Sequence, residues 1–271
     1  MSRIGLIVIA CLLAPAVHAP ALMAQDSWDT IPKPGDPDPF RPGEKAGPMP
    51  RTRDGKPDLS GIWQERTLAA WDVVKHRGDY GSPGGPGIVE GDQIPYQDWA
   101  LKKRAELAKG LSNDPQAHCE LPGVPRITYM PYAFEIVQTG GKIHVDYEYM
   151  HAWRIFHLER ISHPEAIEST DGDSIAHWEG DTLVVDVRGL SDKTWLDMAG
   201  DFHSNQLHVI ERYTALDANT IWYEAMLEDP KVYTRSWKLR LPLHRQAKNF
   251  ELMEYECDRS SAARPLSSRT Q

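Results

Sequence analysis

From residue 125 onward the chain alternates apolar and polar residues with a period of two, in short stretches broken by turns of two or three residues. No other feature constrains the fold as strongly. Successive side chains of a strand point to opposite faces, and strands joined by tight turns pair antiparallel with their neighbours. The stretches are residues 132–137, 143–157, 174–178, 182–187, 207–213, 220–227, 233–243 and 250–257. Gly140-Gly141 reads as a two-residue hairpin turn, and Glu179-Gly180-Asp181 and Ala218-Asn219 punctuate two further pairs. A first strand ends at Trp63, which brings the count to about nine. The expected fold is mostly β: a single antiparallel barrel, or a strongly curved meander, since closure removes exposed edges.

The other segments are arranged around that domain. Residues 1–24 read as a secretory signal peptide: Arg3 gives the positive start, residues 4–17 an apolar run, and Ala24 a small residue for cleavage. The run is too short for a membrane span, and nothing later approaches 18 consecutive apolar residues. The mature chain is thus expected to be periplasmic or secreted, with no membrane span. Residues 25–56 form an extended arm rich in Pro and Gly. The barrel-like domain covers 57–258, with an inserted loop and one helix across 78–111, and 259–271 is a flexible tail. The helix reads over 95–111, with Pro95 in its first turn and Gly110 as a stop.

Net charge is −9. No basic cluster offsets it, which argues against nucleic acid or an anionic membrane surface as a partner. Cys11 leaves with the signal peptide. Cys119 and Cys257 remain, and an even pair in an oxidising compartment reads as a disulfide. Such a loop is worth about 4–5 kcal/mol in the chain-entropy picture. Nothing in the sequence specifies an oligomeric state.

Several motifs carry a resemblance. They are Asp54-Gly-Lys-Pro-Asp-Leu-Ser-Gly-Ile-Trp63, Tyr147-Glu-Tyr-Met-His-Ala-Trp-Arg154 and the run from Gly172 to Asp186 containing His177-Trp-Glu-Gly-Asp-Thr-Leu. Together they resemble a large group of exported bacterial proteins without an established common reaction. Separately, Gly61-Ile62-Trp63 is similar to the Gly-x-Trp that opens the first strand of lipocalin-like barrels. That resemblance implies a tryptophan closing one barrel end.

Two regions gather groups able to do chemistry. The 143–157 stretch holds Glu148, Tyr149, His151 and Arg154. Read as one strand, it places Val145, Tyr147, Tyr149 and His151 on one face, with Glu148 and Arg154 on the other. The bland reading is a Glu148–Arg154 ion pair; the functional one is His151 with a tyrosine as an acid–base pair. The second region holds Asp197, His203, His208 and Arg212. There Asp197 and His203 suit a carboxylate–histidine pair, in which the acid fixes the imidazole's tautomer. No Gly-x-Ser-x-Gly elbow, P-loop, dinucleotide fingerprint, HxH or HExxH occurs. A metal would need ligands from separate strands, such as His151, His203 and His208. Nine Trp and ten Tyr against five Phe suit a ring-bearing ligand as well as ordinary strand packing.

The expected function is an enzyme doing cofactor-free acid–base chemistry of the lyase or isomerase type, or hydrolysis, on a small ring-containing molecule. His151 or His203 is the base, Asp197 orients a histidine, Tyr149 is the acid, and Arg154 or Arg212 holds an anion. The alternatives are a lipocalin-like small-molecule binding protein and a histidine-ligated metalloenzyme. A structural protein with a filled barrel stands behind these.

Overall fold

The structure, a computed structural model, describes residues 46–78, 84–110, 113–165 and 168–258. The expected signal peptide, most of the expected N-terminal arm and the expected 259–271 tail lie outside the described residues. Nine strands follow one another as β1 (Gly61–Gln64), β2 (Phe134–Gln138), β3 (Lys142–Tyr147), β4 (Trp153–His157), β5 (Asp173–Glu179), β6 (Thr182–Arg188), β7 (His208–Asp217), β8 (Thr220–Glu228) and β9 (Trp237–Arg245). They form a closed barrel in chain order, and β9 pairs back onto β1 through Trp63↔Arg245 and Gln64↔His244. The fold is the mostly-β barrel expected.

A ring of nine strands cannot be antiparallel throughout, because each antiparallel neighbour reverses direction and an odd number of reversals does not return to the start. One pair must be parallel, and it is β4–β5, joined only through Phe156↔Ser174 and His157↔Ile175. The meander expectation misses this pair. Parallel neighbours need a crossover rather than a hairpin, and the described parts of that connection, residues 158–165 and 168–172, precede β5. This detour builds the site described below.

The 143–157 stretch is two strands, not one. β3 and β4 form a hairpin with Asp146 opposite Trp153, and Met150 and His151 at its tip have φ of 53° and 52°. Within the five-residue connection the Ala152 N–H donates to the Tyr149 carbonyl at 3.1 Å, closing a tight turn with left-handed backbone at both central positions, which Asn and Gly normally supply. Met-His gives no such signal. The reversal also changes the face assignment. Tyr147 faces inward together with Arg154 and Phe156, while Trp153 faces solvent.

Residues 250–257 are not a strand. They form a strap that makes one isolated bridge, Tyr149↔Tyr255. The strap is held by a disulfide between Cys119 and Cys257, with Cα atoms 5.4 Å apart. One stretch splits and one is lost, so the count stays at nine. The turns at Gly180-Asp181 and Ala218-Asn219 sit where expected, between Glu179↔Thr182 and Asp217↔Thr220.

The interior is filled by side chains. Trp63, Phe134, Phe156, Tyr213, Tyr223 and Leu241 are all buried there. Trp63 lies at the β1–β9 closure; its indole N–H donates to the Leu59 carbonyl at 2.8 Å, and the Arg245 guanidinium lies 4.2 Å from its ring centre. The long β1–β2 connection carries the helix α1 (Asp98–Leu107) and two short 3-10 turns, Pro115–His118 and Arg126–Tyr129. Only Ala100 of α1 is buried, and Trp99 and Leu101 are exposed. The helix is fastened instead by Arg104, which donates to Asp201 at 3.2 Å, and by Lys103 over the Phe202 ring at 4.4 Å. Among the described residues no helix is long and apolar enough to cross a membrane.

Candidate functional site

The 158–172 crossover places Arg160 and His163 against the outward-facing residues of β5 and β6. In the β5–β6 hairpin, register set by the Gly180 turn puts Asp173 opposite Arg188 and Ile175 opposite Asp186. His163 bridges the two acids, with Nδ1 2.7 Å from Asp173 Oδ2 and Nε2 3.1 Å from Asp186 Oδ1. Arg160 donates to both oxygens of Asp173, at 2.9 and 3.1 Å. The same Asp186 oxygen lies 2.9 Å from His208 Nε2 at the start of β7. One carboxylate oxygen thus serves two imidazoles, and the chain Asp173–His163–Asp186–His208 joins three strands and the β4–β5 connection.

Donor bookkeeping sets the proton positions. Arginine only donates, and an Arg188 Nη2–H points at His208 Nδ1 at 3.3 Å. In the neutral imidazole Nδ1 is therefore the acceptor, and Nε2–H donates to Asp186. This is the tautomer that a general base needs: the acid holds one nitrogen and the other keeps its lone pair. His163 faces a carboxylate oxygen at each nitrogen, so only its imidazolium form donates to both. Glu228 lies 3.6 Å from His208 Nδ1.

Two clefts flank this pair on the outer wall. One, of about 520 Å³, is lined by Arg188, Asn205, Gln206, His208, Glu228 and Pro230 among others. The other, of about 460 Å³, has Val184, Ile210 and Met226 among charged residues that include Asp186, Arg212 and Lys238. His208 borders the first cleft and Asp186 the second. His208 is 13% exposed and Asp186 37%, so both groups are reachable yet held.

Of the residues singled out from the sequence, His208 belongs to this site and Arg212 lines its second cleft; the others fall elsewhere. Asp197 does not meet His203. It is fully buried and accepts from the amides of Val73 and Asp201, both at 3.0 Å. Burial, with Asp201 beside it, pushes its carboxyl well above the usual range. Asp72, Asp197 and Asp201 bring their oxygens within 4.8 Å of one another, the one group of three potential metal ligands so placed among the described residues. These oxygens are already engaged: Asp201 accepts from the Tyr96 hydroxyl at 2.9 Å and from Arg104, and Asp72 accepts from the Val74 amide at 2.8 Å. Burial and then Asp201 raise Asp72 to about 6.

His203 has both nitrogens in use, Nδ1 donating to the Ser204 carbonyl at 3.0 Å and Nε2 accepting from the Thr194 hydroxyl at 2.8 Å. Burial lowers its pKa and favours the neutral ring. His151 is exposed at the hairpin tip, 3.2 Å from Glu256. Tyr149 stacks on Tyr255, and burial pushes its phenol up to about 12. Glu148 does not pair with Arg154. Its carboxylate accepts from the amides of Ala133 at 3.0 Å and Met253 at 2.8 Å, tying the strap to the hairpin. Arg154 points into the barrel and pairs with Glu211. Arg212 lies on the outer wall and pairs with Glu179 at 2.9 Å. His151, His203 and His208 each have different partners and do not converge. Sequence reasoning missed Asp173, Asp186, His163 and Arg188. Counting register outward from the Gly180 turn brings out three of the four; His163 needs the crossover, which has no local signal.

No protein-family model matches this chain, and no curated protein matches it. What stands is a β-barrel compatible with small-molecule binding.

Proposed function

We propose that this protein binds a small ring-bearing molecule on the outer wall of its barrel and carries out acid–base chemistry on it with His208 as the base. The observation that carries this reading is the single Asp186 oxygen shared by His208 and His163, next to a cleft lined by Arg188. On substrate binding Arg188 turns from His208 Nδ1 to the substrate, and the Nδ1 lone pair it frees accepts a proton from the substrate. The resulting imidazolium is stabilised through Nε2–H by Asp186, whose own position is fixed by His163 and Asp173. Arg188 neutralises the anion that the substrate becomes. The apolar Val184, Ile210 and Met226 in the second cleft offer a surface for the ring. The chemistry suits elimination, isomerisation or hydrolysis, and these side chains supply the proton transfer themselves. Export to an oxidising compartment is part of the proposal, supported by the Cys119–Cys257 disulfide.

The test is a turnover screen over aryl esters, lactones and β-hydroxy acids, with wild type, His208→Ala and Asp186→Asn side by side. Any activity found should fall by roughly 10²-fold or more in His208→Ala, the usual worth of a positioned base. Full activity in both variants would overturn the assignment.

A further inference from the structure

Strand register carries one straight row of side chains across the outer wall, starting from the acid that holds His208. Asp186 on β6 stands opposite Ile210 on β7, Ile210 opposite Met226 on β8, and Met226 opposite Lys238 on β9. The chain neighbours Val185, Val209, Ala225 and Leu239 are buried in the interior, so alternation turns the whole row outward. An outward row ordinarily holds polar residues, yet the middle of this one is Ile210 and Met226. Cross-strand neighbours have Cβ atoms about 5 Å apart, so the two make one apolar strip. Strands lie about 4.8 Å apart, which puts the Lys238 backbone roughly 14 Å from that of Asp186. The strip floors the second cleft, and Lys238 stands exposed at its far end.

The other charges along this trough are matched within the protein. The Asp186 carboxylate has His163, His208 and Arg188 at 3.1, 2.9 and 3.4 Å. Arg212 lies 2.9 Å from Glu179, and His177 lies 3.2 Å from the same carboxylate. Glu224 stands in register between Arg212 and Arg240. Among the described residues Lys238 has no acid within ion-pair distance. Ligand clefts are commonly an apolar surface with a few polar groups that fix orientation, and here the orienting group is an ammonium. We propose that the trough takes an elongated aromatic acid: its rings lie on Ile210 and Met226, an anionic group at its remote end meets Lys238, and its reacting end lies at His208 and Arg188. Lys238 is then a specificity-determining residue. The anion at Lys238 follows from the cleft alone, whereas the direction in which the substrate lies rests on His208 being the base.

The test is isothermal titration of wild type, Lys238→Met and His208→Ala with biphenyl-4-carboxylate and biphenyl-4,4′-dicarboxylate, at low salt where exposed charges are least screened. The second probe adds one anion at the far end of the same rigid rod. Wild type should bind the dicarboxylate about three- to fivefold more tightly, the upper worth of an exposed ion pair. Lys238→Met keeps most of the aliphatic stem and loses the charge, so it should erase that preference. His208→Ala should keep it, because the second anion sits at the other end of the trough. A preference absent in wild type, or surviving in Lys238→Met, would overturn the proposal, and so would the failure of both probes to bind. Turnover unchanged in His208→Ala would instead remove the base while leaving the anion site at Lys238, so the two failures are told apart.

Discussion

The inside and the outer wall of this barrel use the same kinds of side chain to opposite ends. Inside, Arg154 and Glu211 are shut away from water, and Glu211 is enclosed by two phenols and a guanidinium. Outside, Asp186 and His208 are joined by a bond of similar length, 2.9 Å, but a cleft opens beside them. Burial makes the interior pair all-or-none: charged together it is stable, and either partner alone is costly. Partial exposure leaves the outer pair in contact with solvent and with whatever the cleft holds. Chemistry at a filled barrel is therefore expected on its wall.

The largest effect should come from breaking the interior pair. Glu211→Ala leaves Arg154 charged, buried and unpaired, and should cost about 3–5 kcal/mol in urea unfolding. A cost below about 1 kcal/mol would mean that water reaches Arg154 and the contrast fails. The matching change outside, His208→Ala, should leave stability within about 1 kcal/mol while removing the activity sought above.

Glu65 sharpens the contrast. It is as buried as Glu211 but its carboxyl accepts from the Thr67 amide, and burial pushes it up to about 8. Its folded value is raised above its ordinary 4.5, so the folded state holds the proton more tightly than the unfolded state. Stability from this group is fully present below pH 4.5 and is lost as pH rises towards 8. The slope is at most about 1.4 kcal/mol per pH unit. Glu65→Gln should flatten that part of the pH–stability curve; an unchanged curve would show that Glu65 is solvated. The smallest effect belongs to Arg212→Ala. Its pair with Glu179 is exposed, and unfolding should shift by no more than about 0.5 kcal/mol.

Much of the fold was legible because it is local. Alternation marks β5 to β9, the Gly180 and Asn219 turns set their register, and the two cysteines beyond the expected signal peptide leave one intramolecular pairing. What was illegible was non-local or lacked its usual residues. Met150-His151 turns the chain without Asn or Gly, so β3 and β4 read as one strand and Arg154, which shares the interior with Tyr147, was placed on the opposite face. The strap alternates like a strand but is held by Cys257 and Glu148 rather than by a ladder. Asp197 and His203 are six residues apart in a loop, yet Asp197 bonds to the amides of Val73 and Asp201 and His203 to the Ser204 carbonyl and Thr194 hydroxyl. The outer-wall site depends on β4 pairing parallel with β5; strand parity in a closed ring demands a parallel pair, but no short motif assigns it to these two strands.

The most direct measurement is a crystal soak of wild type and His208→Ala with benzoate and 4-hydroxybenzoate. Ligand density with its carboxylate at Arg188 and its ring against the outer wall, lost or displaced in the variant, is the expected result. Density inside the barrel or at the hairpin tip, unchanged by His208→Ala, would contradict a functional site on the wall.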